Sequence, residues 1–339
     1  MAGTYIQTGA TTYTEIAGTK GVYAQTGAST YTQVKQIYVQ TGASTYTLVY
    51  QYDVTPPTGG GVSSLVWNQA LPGFTVNYNS TADAESGLAS YTLQLDTGSG
   101  YANVSSINSA GGSYSHTVTS GNRGVLHNFR TVAVDNVGNT TTSSATSKYA
   151  KPLGTFYVTA ADFSTWGTAT SGTGSPAGWR TDLGALSEIH VGWINTTYAY
   201  QYGYWFYGSG VENVAKGYSP DSGTIRTYRS NSLGCSGTVV WFATHNHGTK
   251  PTTPSTSLTY YSGTTTEQTI GNSQEFVLSA ASLGRIGTDT TFGMFMYPGQ
   301  SGGSFNSTQQ TSCASGSTYK VFDSPFADAN SGRLTLVFN

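Results

Sequence analysis

Three near-identical phrases fill the first fifty residues, and each is too short for anything but two strands and a turn. Tyr5–Ile16 reads YIQTGATTYTEI, Tyr23–Val34 reads YAQTGASTYTQV and Tyr38–Val49 reads YVQTGASTYTLV. In each copy Tyr, Thr and β-branched residues flank a Gly-containing centre, the composition of a β-hairpin of about a dozen residues. One such hairpin is marginal alone in water, and three in a row build little core. Residues 1–52 are therefore expected to gain stability by docking, on sister chains or on a larger particle; a flexible leader is the alternative.

The same short period runs through the rest of the chain. Its 339 residues include 43 Gly and 25 Tyr but only 3 Met. That balance favours many short strands joined by tight turns. No long segment carries a helical apolar period, so the expected class is all-β, and the length suits two or three domains. The 13% aromatic content supplies core material that disordered chains lack. With 9% charged residues and a net charge of −2, the chain has no electrostatic footprint for nucleic acid or an anionic membrane. Neither a signal-like apolar segment at the N-terminus nor a run of membrane-spanning length occurs, so no signal peptide and no membrane insertion are expected. Cys235 and Cys313 are the two cysteines; a single bridge and two buried thiols both remain open.

Residues 53–61, with Pro56 and Pro57 followed by Gly59, Gly60 and Gly61, read as a linker by composition. From 62 to 150 some seven short strands are expected. Phe74–Tyr78, Tyr91–Leu95 and Phe129–Val134 alternate as half-buried strands do. Asp83–Tyr91 and Val132–Asn139, the latter with its Asp-x-x-Gly-Asn turn, resemble two signatures of fibronectin type III-like domains. That resemblance implies a Greek-key sandwich acting as a spacer.

Residues 155–339 are expected to form a β-sandwich of the jelly-roll kind, large enough to bury its own core. At its centre lies Tyr198–Tyr207, a run with almost no polar relief. Period 2 places Tyr200, Tyr202, Tyr204 and Phe206 on one face. Gln201, Trp205 and Tyr207 fall on the other, with Gly203 as a gap. The run Val239–Thr244 leads into His245, Asn246 and His247, and places Trp241, Ala243, His245 and His247 together. Much of this must be core, since an exposed patch of that size would aggregate. The remainder suits sugar binding, with aromatic faces for stacking and Asn, His and Arg for hydrogen bonds. The candidate glycan-binding residues are Tyr200, Tyr202, Tyr204, Arg229, His245, Asn246 and His247.

Other chemistries are weighed against this one. His245 and His247 make a usable metal half-site, but a third ligand is not identifiable, so no metal or other cofactor is expected. Gly299–Gly303 spells Gly-x-Ser-x-Gly, yet no helix pattern follows and no His lies beyond position 247, so a nucleophile elbow is not expected. Glu188, Glu212, Asp221, Glu267 and Glu275 could supply the carboxylate pair of a glycosidase, whose separation a sequence does not set.

In order along the chain stand Gly178–Thr181, Gly203–Gly208, Ile225–Arg229, Thr244–Pro251 and Ser331–Leu336. Together with the N-terminal hairpin phrases, these resemble the motifs of minor tail proteins from siphoviruses of actinobacteria, mycobacteriophages among them. The resemblance implies a non-enzymatic tail-tip or tail-fibre protein of the virion, made in the host cytoplasm. It also implies attachment to other tail proteins through residues 1–52, contact with bacterial cell-envelope glycan, and a homotrimer. A purely structural tail-tip component and a cell-wall glycan hydrolase are the alternatives.

Overall fold

The computed structural model describes residues 5–7, 13–15, 22–167, 178–180, 188–193, 200–229, 240–253, 273–289, 291–298, 320–323 and 330–339. Every sheet in it is antiparallel, and the chain divides into two compact units, Met1–Ala150 and Lys151–Asn339. The class is all-β.

Each of the three phrases is a hairpin. Tyr5–Gln7 pairs with Tyr13–Glu15, Val22–Gln25 with Tyr31–Val34, and Gln36–Gln40 with Tyr46–Gln51. The last two turns repeat to the hydrogen bond: Thr26 N–H donates to Thr30 O and Thr41 N–H to Thr45 O, both at 2.8 Å. The third hairpin, and Lys35 just before it, also bond to the sandwich that follows. Gln51 Nε2 donates to Glu85 O at 2.7 Å, and Lys35 Nζ lies 3.3 Å from Glu85 Oε1. Tyr23, Tyr31, Tyr38 and Tyr46 remain 52–63% exposed.

The 53–61 stretch is not a flexible linker. Thr58–Gly59 pairs with Thr81–Ala82, Gly60 N–H donates to Ser80 O at 2.7 Å, and Gly61 N–H donates to Thr131 Oγ1 at 2.8 Å. Gly59, Gly60 and Gly61 all take positive φ, which glycine adopts without strain, and that lets the chain thread along the sandwich. A Pro-Gly composition signals flexibility only where nothing takes up the backbone groups.

The sandwich that follows packs a three-stranded sheet on a five-stranded one. Val62–Asn68, Gly73–Tyr78 and Gly112–Thr117 form the first. Ala102–Ser106, Leu88–Asp96 and Leu126–Asp135 form the second, with Thr140–Thr142 and Thr146–Tyr149 as one interrupted edge. Leu126–Asp135 alternates half-buried and buried along its whole length, the signature of a strand with one face inward. Phe74, Val76, Leu93 and Phe129 fill the core. The strand division is that of an immunoglobulin-like Greek key.

In the second unit a four-stranded sheet faces a seven-stranded one. The smaller runs Gly154–Val158, Arg333–Phe338, Ser222–Tyr228, Ser273–Val277. In the larger, Tyr200–Phe206 is central. Asp162–Gly167 lies along one edge of it, with Gly293–Pro298 and then Val240–His245 beyond the other. Glu188–Trp193, Lys320–Asp323 and Gly178–Trp179 complete this sheet, so the module exceeds the eight strands of a jelly roll. Between the sheets sit Trp205, Ile225, Phe242, Phe276, Leu334 and Leu336. Gly203 is the expected gap, and its use is steric: a Cβ there would collide with the Ile189 side chain and lie 3.1 Å from Val191.

Two α-helices occur among the described residues, Gly210–Ala215 and Ala280–Thr288. The second is held by Ser279, whose Oγ accepts the Ser282 N–H at 3.2 Å, and it buries Leu283 and Ile286 one turn apart.

Candidate functional site

The aromatic run separates as its period predicts. Trp205 and Tyr207 enter the core between the sheets. Tyr202, Tyr204 and Phe206 lie on the opposite, outer face of the larger sheet, with Ala243 and Phe295 from neighbouring strands. Strand register fixes this second cluster, because Trp166 faces Tyr202 across one edge and Phe295 faces Tyr204 across the other.

Trp179, on the two-residue strand beside Trp166, closes over the cluster. Its ring meets Trp166 at 5.0 Å and Tyr204 at 5.2 Å, both edge-on, and its Nε1 donates to Pro251 O at 2.7 Å. Edge-to-face pairs of this kind contribute about 0.5–1.5 kcal/mol each beyond area burial. Lys250 Nζ stands 6.0 Å above the Trp179 ring, and Arg180 Nη1 donates to Gln201 Oε1 at 3.2 Å. The segment 246–251 thus leads from the end of Val240–His245 to Trp179.

His245 is in the cluster rather than on the surface. Its ring packs 5.4 Å from Tyr204 and 5.2 Å from Phe206. Nδ1 accepts the His247 backbone N–H at 3.2 Å, which puts the proton of the neutral ring on the buried Nε2. Burial, with a smaller contribution from His247, pushes its pKa down to about 3, so the ring is neutral. Partial burial lowers His247 as well. The two rings lie 5.7 Å apart, and among the described residues no third His, Cys, Asp or Glu joins them to make a metal site.

Burial corrects three of the candidate glycan-binding residues. Tyr204, Arg229 and His245 are each 3% exposed or less and offer no face to a saccharide. Tyr202 and His247 are half-buried and Asn246 is exposed. Tyr200 lies on the Tyr200–Phe206 strand and Trp241 on Val240–His245, but their side chains fall outside the described residues. So do Cys235, Cys313, Glu267 and the Gly299–Gly303 segment. Of the other carboxylates, Asp221 is bound by Lys151 at 2.9 Å and Glu275 accepts from Thr224 Oγ1 at 3.1 Å.

Trp166, Trp179, Arg180 and Lys250 stand in or beside this cluster, although the candidates chosen from sequence did not include them. Trp166 and Trp179 lie on strands too short or too far apart to read as one face with Tyr202. The available signal was their type, since tryptophan is scarce here at 6 residues. No protein-family model matches the chain, and no curated protein or solved structure matches it either.

Proposed function

We propose that this chain is a structural component of a siphovirus tail whose C-terminal module contacts glycan on the bacterial envelope. The hairpin phrases and the order of the C-terminal motifs support the tail assignment. The observation that most supports glycan contact is the outer-face cluster, where Trp166, Trp179 and Tyr202 stand half-buried, with the exposed Lys250 by Trp179 and the exposed Asn246 next in sequence to His245. Half-covered aromatic rings are held in place yet keep a face for sugar stacking, while the amide and ammonium groups reach hydroxyls. Compared with the residues expected from sequence, Tyr202, Asn246 and His247 stay in this set. Trp166, Trp179, Arg180 and Lys250 replace the buried ones. The exposed hairpin tyrosines suit attachment to other tail proteins.

The test is binding of the full chain to actinobacterial cells and to purified cell-wall polysaccharide. Wild type should bind, and Lys250→Glu and Asn246→Ala, both at exposed positions, should weaken binding while melting as wild type does. Unchanged binding with an unchanged melt would move the contact surface elsewhere. An intact fold that binds no envelope fraction would leave a purely structural tail component. Soluble sugar released from the polysaccharide would favour the hydrolase instead.

A further inference from the structure

Three aspartates far apart in sequence meet at one place in the first unit. Asp53 follows the third hairpin, Asp83 opens the turn before Leu88–Asp96, and Asp135 ends Leu126–Asp135. One carboxylate oxygen from each lies within 4.8 Å of the other two; Asp53 and Asp135 are buried and Asp83 is half-buried.

Each carboxylate commits Oδ1 to its own turn. Asp83 Oδ1 accepts the N–H groups of Glu85, Ser86 and Gly87. Asp135 Oδ1 accepts those of Val137, Gly138 and Asn139, and Asp53 Oδ1 accepts that of Thr55 at 2.8 Å. The second oxygens are treated differently. Asp135 Oδ2 accepts from Asn139 Nδ2 at 2.7 Å. Asp53 Oδ2 is buried, on a residue only 5% exposed, and no donor is aligned to it; burial opposes the charge, but the nearby Ser86 hydroxyl and the Thr55 N–H outweigh it and hold the carboxyl below its ordinary pKa. With Oδ1 engaged by Thr55, Oδ2 is the Asp53 oxygen left without an aligned donor.

No Lys, Arg or His side chain among the described residues bonds to any of the three; Lys35 pairs with Glu85 instead. Carboxylates this close repel one another, and a buried anionic oxygen without a partner is costly. A water could satisfy Asp53 Oδ2 but would leave the repulsion. A hard cation answers both.

We propose that Asp53, Asp83 and Asp135 bind a calcium ion. Calcium takes oxygen ligands at about 2.3–2.6 Å, so ligands on opposite sides of one ion stand nearly 5 Å apart, which accommodates the observed spread. Magnesium holds its ligands at about 2.0–2.1 Å in a stricter octahedron and is the competitor that the titration tests. Three carboxylates make a partial shell, completed by carbonyl oxygens or water. The bound ion ties the segment leaving the hairpins to two turns at one end of the sandwich. This inference does not depend on the proposed function.

The experiment uses the full chain, stripped with chelator and dialysed. Calorimetric titration with CaCl2 should show binding in the range of about 10⁻⁴–10⁻³ M found for extracellular calcium modules, with a weaker response to MgCl2. Calcium should raise the melting temperature of one transition. Asp53→Asn keeps the Thr55 hydrogen bond but removes one charge, and should weaken calcium binding tenfold or more. Asp83→Asn, at a half-buried position, is the second variant and should lose binding in the same way. Absence of binding heat and of any melting shift at about 10 mM CaCl2, roughly tenfold above the weak end of that range, overturns the proposal. Undiminished calcium binding in both variants also overturns it.

Discussion

Gly293 lies directly opposite His245 in the antiparallel pair of Val240–His245 with Gly293–Pro298, and the imidazole occupies the space that a Cβ on residue 293 would need. The glycine is a seat for the ring. It lets a polar heterocycle sink beside Tyr204 and Phe206 without displacing the neighbouring strand.

Gly293→Ala should therefore destabilise the second unit by about 1–3 kcal/mol or more, the usual cost of overpacking a tight core. Adding His245→Ala should restore part of that loss, because the clash disappears with the ring. Urea denaturation of both single variants and the double variant measures the coupling. Additive losses would mean that the two residues are not in conflict.

Stability should also fall in mild acid. The folded state holds His245 near pKa 3, whereas an unfolded histidine titrates near its ordinary value of about 6.5. Between those values the unfolded state binds more protons, so this stabilisation is complete above about pH 6.5 and declines as pH falls toward 3. The effect on His245 amounts to a few kcal/mol at most, by about 1.4 kcal/mol per pKa unit. His116 and His127 are lowered too, so the informative quantity is a difference. His245→Phe keeps a ring in place and should lose part of the drop in urea midpoint between pH 7 and pH 5. An identical drop in the variant would exonerate His245.

Neighbouring residues of the cluster should respond very differently to truncation. Tyr204→Ala removes a buried ring with aromatic neighbours and should cost about 3–5 kcal/mol. Asn246→Ala, at an exposed position, should stay within about 0.5 kcal/mol of wild type. Thermal melts of both variants check this directly.

The hairpins should be dispensable for folding and necessary for assembly. Replacing Tyr23, Tyr31, Tyr38 and Tyr46 by Ser should leave the melting of both units nearly unchanged, since all four side chains are largely exposed. If the chain is a trimer held in part by these faces, light scattering should show the variant shifting toward monomer. A wild-type chain that stays monomeric at micromolar concentration would refute the trimer.

Strand faces were legible in the sequence, and coverage was not. Alternation alone assigned Tyr202 and Tyr204 to one side and Trp205 and Tyr207 to the other. Whether the outer side meets water depends on Trp166 and Trp179, which arrive from other strands and carry no local periodic signal. His245 and Arg229 were misplaced for the same reason, since polar type argues for the surface unless a partner strand leaves room. The helix Ala280–Thr288 was hidden by Gly284 and Gly287, which dilute helical propensity. Its signals were the Ser279 cap and the Leu283–Ile286 spacing. The 53–61 segment misled because prolines and glycines serve bound turns as readily as free linkers.

The strand Gly154–Val158 pairs only with Arg333–Phe338 among the described residues. The first strand of the module thus waits for its last, across a separation of well over a hundred residues. Closing so long a loop is slow, because its entropy is lost before the ladder can compensate. During synthesis the smaller sheet stays open at this edge until residues 333–338 clear the ribosome, and a nascent chain halted earlier presents an unpaired strand to its neighbours.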